Sequence, residues 1–440
     1  MRLLMSSLKW FTCIAVALVL SAALGIASPA RAQGIALGGV GPVNRSMAGA
    51  STAAPIDAAG ALHWNPASIS GLESSEMLIG MELLLPTEEL SSTFGPLSGS
   101  TGGEPGVTPI PTMALVHKSQ DSPWTYGLGM YGVAGFGVNY PASTTNPILT
   151  PQPSAGSGGV GGLGRLFSQA EVLQIAPTVS YALSKKLSIG FAPTLTMAKL
   201  AVDPMFLTSP DDANGDAFPS YPSGRGNRYH FGGGAQMGIY YITDSCWHFG
   251  SSIKSPQWFE EFHFFTEDEN GAPRQAEIDF DYPMIVSLGT AYAGFEKWLM
   301  ACDVRYLDYE NTDGFGPSGF DDTGTVQGLG WSSIFSVHTG IQYKATECLH
   351  LRAGYQFNEN PIHSDDAMFN VASPLIIQHV LSLGASYQLT CNMFVSLAYV
   401  QGFENEVTGP IQSALGPVPG TSVSSEISAD ALSVGFALRY

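Results

Sequence analysis

The chain ends on a stretch that alternates without a break. Leu432, Val434, Phe436, Leu438 and Tyr440 are interleaved with Ser433, Gly435, Ala437 and Arg439. A period of two places one set on each face of a β-strand. Other segments follow the same rule. Leu349, Leu351, Ala353, Tyr355 and Phe357 alternate with His350, Arg352, Gly354 and Gln356, and Trp298, Met300, Cys302, Val304 and Tyr306 alternate with Leu299, Ala301, Asp303 and Arg305. In a soluble β-sandwich the outward face would carry charge. Here the less apolar face is largely Gly, Ser, His and Arg, and the other is aliphatic with aromatics near its ends. Lipid explains an apolar outer face, and membrane interfaces explain the aromatic ends. The pattern therefore predicts an all-β protein, an antiparallel transmembrane β-barrel.

Fourteen strands are expected, near residues 76–85, 110–118, 124–137, 168–183, 186–200, 228–242, 246–258, 276–293, 297–310, 331–344, 348–358, 376–389, 392–403 and 427–440. An even number suits a single-chain bacterial barrel. Tyr181, Tyr241, Tyr292, Tyr343 and Tyr387 each close a strand before a short turn, so they are expected to form the periplasmic aromatic belt. A barrel this wide has a lumen that side chains cannot fill, so it needs a channel or a plug.

Residues 1–32 read as a secretory signal. Arg2 and Lys9 supply the basic start, Trp10 to Leu24 the apolar core, and Ala30-Arg31-Ala32 the small-x-small cleavage site. That core is shorter than the ~20 residues a membrane helix needs, and no later run is long enough. Cleavage removes Arg2, Lys9 and Arg31 from the 18 basic residues and none of the 37 acidic ones, for a balance of −22. Nucleic acid needs a basic footprint and is excluded as a partner. Charged residues make up only 12% of the chain, against about 25% in soluble domains, which fits a large lipid-facing surface. Cys13 leaves with the leader. Strand parity puts Cys302 and Cys391 outward and Cys246 and Cys348 inward. Because a bridge needs Cα atoms within ~7 Å, no disulfide is expected.

Between leader and strands, Gly34 to Gly71 is rich in Gly, Ala and Ser and keeps neither a helical nor a strand period for long. Asp57-Ala58-Ala59-Gly60 followed by Asn65-Pro66-Ala67 resembles the N-terminal hatch of the outer-membrane long-chain fatty-acid transporter family (FadL type, which includes toluene and xylene channels). The resemblance extends over the whole mature chain. It implies three parts: a signal peptide at 1–32, a hatch or plug at 33–73 inside the lumen, and a fourteen-strand barrel at 74–440. It also implies an outer-membrane location and passive, gated uptake of long-chain fatty acids or other hydrophobic compounds, with lateral release into the membrane.

The residues then take expected roles. Asp57, Asn65, Pro66 and Ala67 belong to the gate. Asn65 is expected to bond the backbone of this irregular buried segment, and Pro66 to fix its turn. The third strand carries Gly132, Gly135 and Gly137, and glycine in a strand marks a bulge or close approach. In the family this strand is kinked and opens a window to the membrane. Met205, Phe206, Leu207, Phe218 and Tyr221 place apolar side chains in a long loop, and exposed apolar patches often mark binding. The family implies an outer hydrophobic groove there. Inward basic residues are His248, Lys254, Arg305, His338, His350 and Arg352. Of these, Arg305 and Arg352 are the candidates for a ligand carboxylate, with Asp303 beside Arg305.

No metal site, cofactor or catalytic residue is expected. HExxH, GxSxG and CxxC do not occur. The competing enzymatic reading is a membrane phospholipase with a Ser–His pair on neighbouring strands, for which His230 and His379 are the candidates. A general porin, an aromatic-hydrocarbon channel of the same family and an adhesin barrel also compete with fatty-acid uptake. Expected partners are hydrophobic small molecules, outer-membrane lipid and lipopolysaccharide, and the barrel-assembly machinery, which would read the terminal aromatic Tyr440. A monomer is expected.

Overall fold

A computed structural model describes residues 34–119, 121–158, 161–225 and 228–440. The expected leader, with Cys13, lies outside the described residues. Fourteen antiparallel strands close into a barrel: β1 (Glu76–Phe94), β2 (Thr108–Lys118), β3 (Trp124–Tyr140), β4 (Leu166–Ala182), β5 (Leu187–Asp203), β6 (His230–Ile242), β7 (Trp247–Lys254), β8 (Met284–Phe295), β9 (Trp298–Asp308), β10 (Ile334–Lys344), β11 (Leu349–Asn358), β12 (His379–Gln388), β13 (Met393–Gly409) and β14 (Thr421–Arg439). Each strand pairs with the next in sequence, and β14 returns to β1 in unbroken register from Glu76 opposite Arg439 to Phe94 opposite Thr421. Apart from one stretch beside β3, closure leaves no sheet edge to present unpaired N–H and C=O groups to lipid.

Alternation sets which residues face out. Ile79, Leu83, Phe191, Ile239, Leu288, Leu397, Leu432 and Phe436 are all exposed on the outer surface. Aromatic pairs mark one rim. Trp124 lies 4.6 Å from Tyr181, Trp247 4.9 Å from Tyr292 and Trp298 4.4 Å from Tyr343, centroid to centroid. In each pair a tryptophan that opens a strand meets a tyrosine near the end of its neighbour.

Several boundaries differ from the sequence expectation. The eighth strand begins at Met284, not near 276, because Pro273–Ile278 pairs instead with Phe262–Glu267 in a separate outer hairpin. Alternation in that hairpin is the same as alternation in the wall. The seventh strand stops at Lys254, shortly before Pro256, which has no N–H to continue a ladder. At the other extreme, β1 and β14 run 19 residues each, well past their expected ends. The cysteines Cys246, Cys348 and Cys391 are exposed and Cys302 is half-buried, and all four are free.

Residues from Gly34 to Ser75 lie inside the barrel and are almost wholly buried. They form two short helices, α1 (Gly41–Ser46) and α2 (Ala58–Trp64), and a 3-10 turn at Pro66–Gly71. These helices are too short to show a helical period in sequence. The strands make room for them by omitting side chains. A Cβ at Gly250 would land on Thr52 O, one at Gly238 on Asn65 Oδ1 and one at Gly190 on the Pro66–Ala67 peptide. Across the lumen, Gly340, Gly354 and Gly384 do the same for Met47, Ala48 and Ser46. The plug therefore sits against bare backbone on both sides. Gly250→Val is expected to leave the barrel folded, with heat-modifiable gel mobility retained, while residues 34–75 become cleavable by proteinase K. Cleavage no faster than in the wild type would show that the plug seats without this clearance.

Candidate functional site

The plug is fixed to the wall by polar contacts that meet its irregular backbone. Asp303, on β9, accepts from Ser51 N, Thr52 N and Thr52 Oγ1 at 2.9, 2.9 and 2.8 Å. The same carboxylate oxygen takes Arg305 Nη2 at 2.9 Å. Arg305 also donates to Gly49 O at 2.6 Å, and its guanidinium lies 3.2 Å from the Trp64 ring centroid. His338 Nδ1 reaches Ala48 O at 2.7 Å. Asn65 donates to Thr52 O within the plug and to Ile239 O on β6, at 2.9 and 3.0 Å, while its carbonyl accepts from Ala67 N. Asp57 caps α2 through Gly60 N. Glu76 accepts from Ala58 N and from Arg439, so the plug is also tied to the strands where the barrel closes.

The N-terminal part of the plug is held differently. Ala36 forms a bridge with Ala134 on β3, and Leu37 N donates to Val133 O at 3.0 Å. Val133 is the extra residue of a bulge: Gly132 is opposite Leu173, but Ala134 is opposite Val172. A bulge leaves its extra residue unpaired and bends the strand. Here the freed carbonyl bonds to the plug.

The bend also parts β3 from β2. Their ladder ends at Thr112 opposite Tyr131. Among the described residues, no ladder pair joins Thr108–Pro111 to Gly132–Tyr140. Pro109 and Pro111 have no N–H to offer there. Farther out, Glu104 N and Asn139 O close the gap at 2.8 Å. Ile110 lies across it, with Cγ2 2.6 Å from where a Gly132 Cβ would stand.

A cavity of about 130 Å³ lies behind this stretch. Ile35, Leu37, Phe136, Val138, Leu375, Ile377, Val400 and Ile427 give it an apolar lining. Its polar lining is Arg45, Gln356 and Asn358, and Arg45 is the only charged residue among those that line it. Leu375 comes from the loop between β11 and β12, which folds into the mouth and buries Phe369, Val371 and Ile376.

The sequence-predicted residues fall in four places. Asp57, Asn65, Pro66 and Ala67 lie together in the plug, with Pro66 opening the 3-10 turn. Gly135 and Gly137 line the cavity, and Gly132 sits at the bulge. Met205 and Phe206 are buried, while Leu207, Phe218 and Tyr221 are half-buried, so this loop packs on itself more than it presents a patch. Neither Arg305 nor Arg352 lines the cavity; Arg352 donates to Gln342 and Ser386, both at 2.7 Å. Lys254 is buried beside His63 and Gln174, each at 3.3 Å. Sequence reasoning missed Arg45, although it is the only Arg or Lys between Gly34 and Ser75.

A closed fourteen-strand barrel of this kind has known counterparts. The family model for the outer membrane protein transport protein (OMPP1/FadL/TodX) matches residues 23–440. The chain belongs to this family. Among solved FadL/TodX-type structures, a Pseudomonas aeruginosa FadL homologue is 14% identical, with 92% of this chain and 99% of that one covered at a TM-score of 0.69. The Pseudomonas putida toluene transporter TodX is 15% identical, with 93% and 100% covered at 0.66. The Ralstonia pickettii toluene transporter TbuX is 15% identical, with 92% and 99% covered at 0.66. No curated protein matches. At these identities the structures establish a shared FadL/TodX fold, and the family is one of outer-membrane transport barrels for hydrophobic compounds.

Among the described residues, Asp303 holds more of the plug than any other wall side chain. Removing one partner of a buried ion pair costs roughly 3–5 kcal/mol. Asp303→Ala is expected to weaken seating and raise single-channel conductance in planar bilayers above the wild-type level. Unchanged conductance would mean that the remaining contacts keep the lumen sealed.

Proposed function

We propose that this protein is a passive, gated channel that takes up hydrophobic compounds through the outer membrane and releases them sideways into it. One observation carries the reading: a single apolar cavity is bordered by both the N-terminal end of the plug and the bulged strand. A compound descending from the loops enters this cavity. Displacing Ile35–Leu37 frees the bond to Val133, and the gap between β2 and β3 is the exit. An apolar solute leaving there need not cross water.

The small volume of the cavity favours small ligands. An apolar cavity of roughly 150 Å³ holds one benzene ring, and this one is about 130 Å³. A volume of that order suits a single aromatic ring far better than a long-chain fatty acid, which needs the plug to move first. TodX and TbuX, named as toluene transporters, support the same size class. A general porin would need a hydrated, charged constriction, which a lumen filled by a plug does not provide. The protein acts as a monomer, with Tyr440 as its assembly signal.

Uptake of labelled toluene, oleate and a small sugar, in cells lacking their own hydrophobic channel, tests the reading. Toluene is expected to enter fastest, and sugar entry alone would overturn the proposal. The exit has its own test. A Cβ at Gly135 would meet nothing closer than Ala170 O at 3.6 Å and one at Gly137 nothing closer than Pro105 O at 3.5 Å, so the wall has room for larger side chains beside the gap. The double variant Gly135→Val, Gly137→Val is expected to slow toluene uptake several-fold with normal barrel mobility. A normal rate would remove this route.

A further inference from the structure

We propose that Arg45 holds the polar end of the ligand, and that the preferred ligands are uncharged aromatic compounds bearing one acceptor oxygen. This rests on the uptake reading above and names its substrate class.

Arg45 sits in the last turn of α1 and lines the cavity. Its Nε donates to Glu82 Oε2 at 2.8 Å, and both side chains are more than nine-tenths buried. Its two terminal amino groups, Nη1 and Nη2, have no hydrogen-bond partner among the described residues. Neither is sealed from the space around it, so each can still take an acceptor that enters the cavity. The nearby polar groups do not supply one: Asn358 Oδ1 already accepts from Gln356 Nε2 at 3.0 Å. The cavity is thus apolar apart from Arg45 and the neutral amides of Gln356 and Asn358, and Arg45 brings donors still open to an acceptor.

Glu82 decides what kind of acceptor fits. It already neutralises Arg45. A carboxylate ligand would add a second anion beside the first in a water-poor site, and two carboxylates sharing one cation disfavour each other's charge. A hydroxyl or carbonyl oxygen accepts from Arg45 without adding net charge. A plain hydrocarbon fills the cavity but leaves the donors unmet. Arg45 belongs to the plug and Glu82 to β1, so a ligand at this spot touches the gate and the wall together.

Three compounds of matched shape separate these cases: toluene, para-cresol and para-toluate. Binding to the purified full-length mature protein in detergent is measured by equilibrium dialysis at neutral pH, corrected for protein-free micelles. Para-cresol is expected to bind about tenfold more tightly than toluene, with para-toluate weakest. Arg45→Met should erase the para-cresol advantage while toluene still binds. The double variant Arg45→Met, Glu82→Leu leaves no unpaired buried charge and should show the same loss if the single variant folds poorly. Glu82→Gln should make para-toluate the tightest of the three. Equal wild-type binding of toluene and para-cresol, wild-type preference for para-toluate, or an unchanged ranking in the variants would overturn the proposal while leaving the uptake reading intact. Failure of all three to bind would overturn both.

Discussion

Lipid offers no partner for a backbone N–H or C=O, and this requirement governs both layers of the molecule. The outer layer meets it by closing the sheet on itself. The inner layer faces a harder version, because Gly34–Ser75 is largely irregular chain sealed away from water. Its polar groups are met from the wall. Asp303 takes two successive N–H groups, Arg305 takes a carbonyl, and Asn65 bridges plug and strand. Such bonds form only if backbone can approach backbone, which is why glycine recurs on the inner face at Gly190, Gly238, Gly250, Gly340, Gly354 and Gly384.

The third strand departs from this closure in one place. Val133 is surplus to its ladder with β4, and the ladder with β2 has already ended at Tyr131. The carbonyl that the bulge releases is the one that holds Leu37. A local break in the wall and the attachment of the plug's N-terminal part are thus one feature. The same short stretch of the plug therefore borders both the gap and the cavity.

The wall was legible in the sequence because period-two alternation is the direct imprint of lipid on one side and a different environment on the other. It failed where an outer hairpin, Phe262–Glu267 with Pro273–Ile278, alternates for its own reasons. The third-strand glycines pointed to a bulge, and a bulge is there. The other inner-face glycines were passed over, since a strand glycine does not reveal what approaches it from another part of the chain. Arg305 and Arg352 drew notice as inward cations, and Asp303 was visible beside Arg305; sequence does not show that Ser386 takes up Arg352 or that Arg305 also holds the plug at Gly49. Arg45 was visible as the lone Arg or Lys of the plug. What sequence withheld was its position at the edge of an apolar hollow beside Glu82.

The length of β1 and β14 has a further consequence. At about 3.3 Å per residue, 19 residues reach roughly 60 Å, whereas a tilted strand crosses the hydrocarbon layer in about 9–11 residues. Nearly half of each strand therefore stands clear of the bilayer as a rigid chimney. That height lifts the mouth of the barrel well clear of the hydrocarbon layer.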